Sequence, residues 1–427
     1  MEYQYTHHLG FHIATAEMSH MESVSIAIYF PVGSRYESPE ENGIAHFLEH
    51  MVFKGTSKRT ALDIALQIEG AGGTMNAFTT EDQTCLETRG PAELLPLLIE
   101  IMSDMLWNSN YDPEEVERER EVIAEEIIMY QENPGDHLHD LLSEALYPSH
   151  PLGRPITGTE DSISNIQVED LKNFTQKHYY SEGITLSVAG KVKHTEVVAL
   201  AEKFLPQLSD HKSGFQPFTH TPLSVRASTR PIVIHDQRDI EQTHLAIAFH
   251  TDGRHSDTRH ILRVMSLIMG ETMSSRLFQE LREKRGLCYH IATDYSLYHD
   301  TGTFEIHAGL DSSRLQESID VIHQMLRQIC EQGFTQAELD QAVTFATAQS
   351  RIALETPPAH MSWMGDSLLC FDKILEPKDS RETLSTTTLA ELKELAQQTF
   401  KPENMAIATV GPQEFEEIKD TLKSLTA

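Results

Sequence analysis

The chain has 427 residues, of which 39% are hydrophobic and 23% are charged, and this balance excludes a disordered protein. Its formal net charge of −31 argues against nucleic acid or an anionic membrane as a partner. The charge would favour cationic peptides, but a well-solvated acidic surface explains it at least as well. A chain of this length exceeds one typical core and is expected to form two domains.

The targeting and cysteine patterns favour a cytoplasmic protein. No apolar run is long enough to cross a membrane, and the first residues lack the pattern of a secretion signal or transit peptide, although a mature chain would look the same. The cysteines are far apart and indicate neither a metal site nor a disulfide framework. They are Cys85, Cys288, Cys330 and Cys370.

The first elements in the chain are a strand and a helix. Ser25–Pro31 is typical of a buried strand, and Gly33 marks the turn after it. The segment Asn42–Gly55 has apolar residues at helical spacing, with Asn42 as the expected N-cap and Gly55 as the expected C′ residue. The apolar positions of this helix are Ile44, Phe47, Leu48, Met51 and Val52.

The same helix carries a pentad that is typical of a metal site. His46 and His50 are one turn apart, so both imidazoles leave the same face and can bind one metal ion. Glu49 lies beside them, close enough to touch a metal-bound water but poorly placed to be a third ligand. The order H-x-x-E-H inverts the commoner zinc-protease motif. In a chain with 23 His and 65 acidic residues the pentad can arise by chance, so it needs a third ligand.

A second helix and a glycine-rich strand follow. Thr60–Glu69 is predicted to be helical, with Thr60 and Asp63 as a capping box and Gly70 as its stop. Residues 70–79, GAGGTMNAFT, form a glycine-rich entry into a strand. A strand entered in this way is often an edge strand, where another backbone can approach closely.

A long helix downstream offers the missing ligand. Asp112 and Pro113 form a strong helix start, with Asp112 as N-cap. Glu119 and Glu126 are two turns apart and share the face of the apolar residues. Carboxylates on such a face are costly unless something positive neutralises them, so Glu126 could complete a His2Glu site and Glu119 could support it. The alternative is that this face borders solvent and both are surface glutamates.

The second half of the chain partly repeats the first. Leu245–Phe249 resembles Ile26–Phe30, and the helix at the place of the pentad, residues 261–269, has apolar residues where the ligands were. Gln349 falls where Glu126 stands in the first half. The halves are therefore predicted to be duplicated folds, of which only the first keeps the metal chemistry.

The predicted division of the chain follows from this repeat and from a Pro- and Gly-containing segment with little periodicity. The N-terminal domain is assigned to residues 1–208, the linker to 209–228 and the C-terminal domain to 229–427. The C-terminal domain lacks the metal motif but carries the segment SSRLFQELREKRGLCY at 274–289.

Together these motifs resemble those of the M16 (pitrilysin) zinc metallopeptidases, or inverzincins, over nearly the whole chain. The similarity is to the M16B type, which includes bacterial peptidases and the β-subunit of the mitochondrial processing peptidase. Each motif is weak alone, and the combination is highly specific. The motifs are His46-x-x-Glu49-His50, the segment from Glu119 to Glu126, Gly72-Gly73-x-x-Asn76-Ala77, and the segment from Leu281 to Tyr289.

The resemblance implies a catalytic zinc site. By similarity, His46, His50 and Glu126 bind one Zn2+ per chain. Glu49 is implied to be the general base that activates the zinc-bound water, and it later passes the proton to the leaving amine. Glu119 is implied to support the site.

The resemblance also implies a substrate site for peptides. Gly73, Asn76 and Ala77 would lie on an edge strand that pairs with the peptide backbone. Arg282 and Tyr289 would reach the scissile region, with Tyr289 stabilising the oxyanion. From the residues alone, the alternatives are a helix-surface arginine and a core aromatic at the start of a strand.

The implied fold is α+β: two homologous domains, each an antiparallel β-sheet flanked by α-helices, as in LuxS/MPP-like metallohydrolases. The implied function is a zinc endopeptidase that hydrolyses short or unfolded peptides inside an enclosed chamber. Because the chain carries both the metal set and the Arg/Tyr pair, a homodimer is the economical expectation, and a heterodimer with another M16 subunit is the alternative.

Two other functions stay open. One is a non-catalytic or partner-dependent scaffold subunit, although such subunits normally lack the complete metal set. The other is a processing peptidase for basic presequences, which the negative charge fits. The chain also departs from the family at Glu81, Asp82 and Leu86, where an Arg-Glu pair and a tyrosine are common, so its peptide preference is not predicted.

Overall fold

The computed structural model describes residues 2–180, 183–208 and 231–426. These residues form two β-sheets flanked by helices, so the predicted α+β class with two similar halves is confirmed. The linker predicted at residues 209–228 lies outside the described residues. Within the described ranges, no helix combines the length and the apolar character needed to cross a membrane.

The first sheet contains six strands in the order β1-β2-β6-β3-β5-β4. They are β1 (Tyr3–His8), β2 (Phe11–Glu17), β3 (Ser23–Phe30), β4 (Thr74–Thr79), β5 (Thr84–Pro91) and β6 (Thr185–Gly190). The helices of this half are α1 (Ile44–Met51), α2 (Ala61–Ile68), α3 (Leu95–Trp107), α4 (Pro113–Glu132), α5 (Pro134–Leu146), α6 (Glu160–Asn165), α7 (Val168–His178) and α8 (His194–Phe204).

The second sheet contains five strands in the order β7-β11-β8-β10-β9. They are β7 (Ile232–Gln237), β8 (Gln242–Thr251), β9 (Cys288–Leu297), β10 (Gly302–Asp311) and β11 (Met405–Gly411). The helices of this half are α9 (Arg259–Ser266), α10 (Leu315–Gln332), α11 (Gln336–Ala353), α12 (Pro357–Phe371), α13 (Pro377–Ser385), α14 (Leu389–Thr399), α15 (Phe415–Thr421) and α16 (Lys423–Thr426).

The two sheets share one strand order, because the second reproduces the first without β1. Leu245–Phe249 lies in β8 and Ile26–Phe30 lies in β3, and these two strands occupy equivalent positions in their sheets, as the sequence repeat predicts. Gly33 and Gly253 follow these strands, and each packs against the turn of the neighbouring hairpin. A Cβ would lie 2.0 Å from the Thr80 oxygen at Gly33 and 2.6 Å from the Thr301 nitrogen at Gly253.

Each sheet also contains one parallel pair, which the antiparallel prediction did not include. β2 runs parallel to β6, and β7 runs parallel to β11, while the other pairs are antiparallel. β6 and β11 enter their sheets after a long helical connection, which allows a parallel neighbour, whereas a short hairpin turn does not.

The chain separates into two compact units that exchange one helix-containing segment each. The first unit includes Arg351–Leu375 from the second half, and the second includes Met129–Gly153 from the first half. α12 therefore covers one face of the first sheet, where Met361 and Met364 pack on Tyr29 and its neighbours. α5 covers the second sheet in the same way. The predicted boundaries at 1–208 and 229–427 stay a prediction.

Candidate active site

The helix that carries the pentad is shorter than predicted. α1 begins at Ile44, and its N-cap is Gly43, in the left-handed region at φ 93°. The prediction of Asn42 as N-cap is wrong, because its side-chain amide donates instead to Glu37 Oε2 at 3.2 Å and to the Pro155 carbonyl at 3.0 Å. Gly55 is not the C′ residue either, since the helix already ends at Met51.

A distant carboxylate caps this helix. Glu37 is buried, its Oε2 accepts from the Gly43 amide at 2.8 Å, and its Oε1 accepts from the Ala45 amide at 2.9 Å. Burial raises the pKa of Glu37 to about 7, and the hydrogen bonds oppose this effect. Sequence reasoning missed Glu37, because a capping box places its acidic residue three positions after the N-cap rather than six before it.

α1 and α4 bring three potential metal ligands together. Glu126 Oε2 lies 3.7 Å from His46 Nε2 and 3.4 Å from His50 Nε2, and the three ligand atoms all lie within 4.8 Å of one another. Zinc binds such atoms at about 2.0–2.2 Å, so two ligands of a tetrahedral site lie roughly 3.3 Å apart. The observed separations are too long for strong hydrogen bonds and close to this metal-ligand spacing. The donor set therefore fits zinc.

The environments of the two histidines differ. Burial lowers the pKa of His46 to about 4, and the neighbouring His50 adds to this effect, so His46 is neutral at pH 7 as a ligand must be. Burial also acts to lower the pKa of His50, but Glu126 and Glu119 outweigh it and the net pKa is raised. A cation bound to Nε2 of His50 would take the place of that proton.

Glu119 lies behind the ligands rather than among them. It is buried, and its Oε2 is 3.0 Å from His50 Nδ1. Its Oε1 is 2.5 Å from the ammonium of Lys54, three residues beyond the end of α1. One carboxylate oxygen therefore contacts the imidazole and the other contacts an ammonium group. The first contact holds the ring with its opposite nitrogen, Nε2, on the side of Glu126. The prediction did not include Lys54.

Glu49 is separate from the three ligand atoms and is held by the first sheet. The hydroxyl of Thr79, the last residue of β4, donates to Glu49 Oε2 at 2.7 Å. Burial raises the pKa of Glu49, and the hydrogen bond from Thr79 acts in the opposite direction. A carboxylate with a raised pKa beside a metal site is suited to accept and return a proton.

β4 is an edge strand, as its glycine-rich entry indicates. Within the described ranges it pairs with β5 alone, so its other side has no strand beside it. Asn76 is exposed and Ala77 is half-buried on this strand. Gly73 is buried just before it, where a Cβ would lie 3.1 Å from the Ile68 oxygen and 3.2 Å from the Arg89 oxygen. A side chain at this position would require the neighbouring backbones to move apart by a few tenths of an ångström.

Arg282 and Tyr289 lie together in the second unit. Cζ of Arg282 is 5.4 Å from the centroid of the Tyr289 ring and 4.7 Å from that of Phe278, which indicates cation–π contact. Tyr289 is 79% exposed, so the alternative of a core aromatic is wrong. The register of β9 with β10 skips Tyr289, which makes it the extra residue of a β-bulge on an edge strand.

Comparison with known protein families gives a match to each half of the chain. Residues 12–160 match the family described as "Insulinase (Peptidase family M16)". Residues 165–345 match the family described as "Peptidase M16 inactive domain". The second match covers the half in which apolar residues occupy the place of the pentad.

Whole-length relatives are similar over nearly the entire chain. A protein of Streptomyces coelicolor named an uncharacterized zinc protease is 33% identical over 409 residues, covering 94% of this chain and 88% of the relative. The uncharacterized zinc protease YmxG of Bacillus subtilis is 32% identical, with 96% of this chain and 98% of the relative covered.

A solved structure has the same fold. The crystal structure of a protease from Helicobacter pylori superposes with a TM-score of 0.87 at 23% identity, covering 96% of this chain and 99% of that protein.

Proposed function

Since the chain belongs to peptidase family M16, we propose that it is a zinc-dependent endopeptidase that hydrolyses short or unfolded peptides. The observation that carries this proposal is the convergence of His46, His50 and Glu126 at spacings close to those of zinc ligands. A non-catalytic subunit would have no use for this set or for a carboxylate held beside it.

In the proposed site His46, His50 and Glu126 hold one zinc ion. When bound, zinc acts as a Lewis acid that polarises the scissile carbonyl and lowers the pKa of a water molecule. Glu119 accepts from Nδ1 of His50 and so presents the opposite nitrogen of that ring to the cation.

Glu49 is proposed to be the general base and acid. It would take the proton from the attacking water and return it to the amine that leaves when the peptide bond breaks. The support is its position on α1, three residues after His46 and next to His50, together with its hydrogen bond from Thr79 and the burial that raises its pKa. The hydroxyl holds one carboxylate oxygen, and the other would accept the proton of the water.

The edge strand is proposed to bind the peptide backbone. A peptide added as a further strand beside β4 would pass Gly73, Asn76 and Ala77 and reach Thr79, which contacts the proposed base. The same strand would thus bind the substrate and position the group that attacks it. The proposal includes the enclosed chamber typical of the family, which admits only short or unfolded chains.

Arg282 and Tyr289 are proposed to assist at the substrate, with the tyrosine hydroxyl stabilising the oxyanion. The support is that Tyr289 is exposed and is oriented by the guanidinium and by a β-bulge. Since one chain carries both this pair and the metal set, we propose that identical subunits form a homodimer.

The test is metal content and peptide cleavage measured side by side on the wild type and on Glu49→Gln. We expect about one zinc per chain in both proteins, with cleavage of unfolded peptides by the wild type alone. A wild-type protein that binds no zinc would overturn the metal assignment. Zinc binding with no cleavage of any peptide would favour the non-catalytic or partner-dependent subunit.

A further inference from the structure

The proposed general base is held by two separate elements of the first unit. Glu49 lies on α1, and the hydroxyl of Thr79 at the end of β4 donates to its Oε2 at 2.7 Å. α1 is itself capped by Glu37, whose two carboxylate oxygens accept from backbone amides at its start. The place of Glu49 in the site therefore depends on α1 and on the hairpin that β4 forms with β5.

The segment 32–37, which ends in the cap of α1, also runs along the turn of this hairpin. Two of its backbone amides donate to carbonyl oxygens of the turn. The Ser34 amide donates to Thr80 at 3.1 Å, and the Arg35 amide donates to Glu81 at 3.0 Å. One short segment thus contacts both the helix that carries the base and the hairpin that holds it.

A buried ion pair joins the same segment to the same turn. Nη1 of Arg35 lies 3.5 Å from Oδ1 of Asp82. The two side chains are 1% and 11% exposed, so salt and water screen their attraction much less than at a surface. Breaking such a pair leaves a buried charge without this partner, which is strongly unfavourable. The ion pair is therefore suited to keep the turn in one position.

The ion pair is also close to the hydroxyl that contacts the base. Asp82 follows Thr79 by three residues, across a tight turn in which the Thr80 amide donates to the Gln83 carbonyl at 2.8 Å. Loop tips are commonly the mobile parts of a fold. Because the turn is short and hydrogen-bonded, a movement of Asp82 would also move Thr79.

We propose that Arg35 is a positioning residue for Glu49. Its ion pair with Asp82 fixes the hairpin turn, and the turn fixes the Thr79 hydroxyl against the carboxylate of the base. This inference rests on the proposed function, which gives Glu49 its catalytic role. A misplacement of about 1 Å can cost on the order of 100-fold in rate, so this support acts on kcat. The alternative is that the pair stabilises the fold and does nothing more.

The test measures kcat, KM, zinc content and urea unfolding for Arg35→Gln and Asp82→Asn, each with Thr79 intact and with Thr79→Val. Asp82→Asn keeps the size of its side chain, so it covers the case in which Arg35→Gln fails to fold. Arg35→Lys is the conservative variant, because it keeps the positive charge. Arg59→Gln is the matched control, since Arg59 forms a largely buried ion pair with Asp104 of α3 at 2.7 Å in the same unit.

We expect Arg35→Gln and Asp82→Asn to lower kcat by about tenfold or more, with KM and zinc content close to the wild type. Arg35→Lys should restore most of the rate, and Arg59→Gln should lose stability but keep kcat. In the Thr79→Val background the same two changes should lower kcat by less than about twofold, because the contact through which they act is already gone. Their losses in stability should be equal in both backgrounds.

Two results would overturn the proposal. One is an equal fold-loss of kcat with Thr79 and with Thr79→Val, since Arg35 would then act by another route. The other is a loss confined to KM, which would show that the turn positions the peptide on β4 rather than the base.

Hydrogen exchange separates this inference from the proposed function. The exchange of the backbone amides of residues 79–84 is measured on zinc-loaded wild type, Asp82→Asn and Arg59→Gln. If the wild type cleaves no peptide, the endopeptidase assignment fails, and faster exchange in Asp82→Asn alone still supports the fixing of the turn by Arg35, whereas unchanged exchange overturns it. If the wild type cleaves peptides and Asp82→Asn matches it in exchange and in kcat, the positioning role fails while the proposed function stands.

Discussion

Nδ1 of His50 lies 3.0 Å from Oε2 of Glu119, and the other oxygen of that carboxylate is 2.5 Å from the ammonium of Lys54. The carboxylate is buried, so its charge is balanced by these two partners rather than by water. Lys54 thereby acts on the proposed zinc site through two side chains without touching a ligand.

Lys54→Met should weaken zinc binding. Without the ammonium, the buried carboxylate of Glu119 would be compensated by His50 alone, which favours a proton on the imidazole and opposes a metal ion. We expect a loss of about tenfold or more in zinc affinity, measured by competition with a chromogenic chelator. Lys54→Arg should retain most of the affinity, because it keeps the charge. Lys58→Met is the control, since Lys58 is exposed and lies 3.5 Å from Asp104 instead. Equal affinities in Lys54→Met and the wild type would contradict the role.

Glu37→Ala should destabilise the protein. The change leaves the buried amides of Gly43 and Ala45 without their acceptor, and unpaired buried donors are costly. We expect a loss of about 2–4 kcal/mol in the free energy of unfolding, measured with urea at neutral pH. Glu40→Ala, an exposed change three residues away, should stay close to the wild type. Equal losses in the two variants would show that Glu37 does not cap α1.

Glu37 should also give the stability a pH dependence. Burial raises the pKa of its carboxyl from 4.5 to about 7, so the folded state binds this proton more tightly than the unfolded state does. The stabilisation is full below the unfolded value and is lost as the pH rises through about 7. Glu37→Gln cannot titrate, so the difference in unfolding free energy between variant and wild type should change across this window. A constant difference would show that the raised pKa is wrong.

Gly365→Ala should disturb the packing of α12 on the first sheet. A Cβ at this position would lie 2.2 Å from Cε2 and 2.7 Å from Cδ2 of Tyr29, a fully buried ring that cannot move aside freely. We expect a loss of about 1–3 kcal/mol in urea unfolding. Gly70→Ala is the matched control, because no atom of the described residues lies within 4 Å of a Cβ placed there. If the two variants unfold at the same urea concentration, α12 does not pack as closely on the Tyr29 ring as these distances indicate.

Local periodicity was enough to find the residues of the candidate site that lie on helices. His46 and His50 are one turn apart on α1, so they share a face. The apolar positions of α4 indicate its buried face, and Glu119 and Glu126 lie on that face. The edge strand could be predicted too, because glycines at the start of a strand are typical of a place where a second backbone approaches closely. Both signals depend only on residues close together in the sequence.

What the sequence could not predict depends on tertiary packing. Glu37 caps a helix that begins several residues later, and Lys54 contacts Glu119 on a different helix. No rule based on local sequence spacing predicts either contact. The exchange of α5 and α12 was missed for a similar reason, since an amphipathic helix shows that it covers a sheet but not which sheet it covers. The parallel pair in each sheet likewise depends on tertiary structure, because it is set by the position that β6 or β11 takes in its sheet.

The last prediction concerns the state of the substrate. If a peptide is bound as a strand beside β4, its backbone amides must be free, and in a folded protein they are already paired. A small disulfide-bonded protein should therefore resist cleavage, while the same protein after reduction and alkylation should be cleaved at least about tenfold faster. Initial rates are followed by mass spectrometry, and Glu49→Gln should cleave neither form. Equal rates on the two forms would argue against strand addition at β4 and against an enclosed chamber, because neither could accept an intact folded domain.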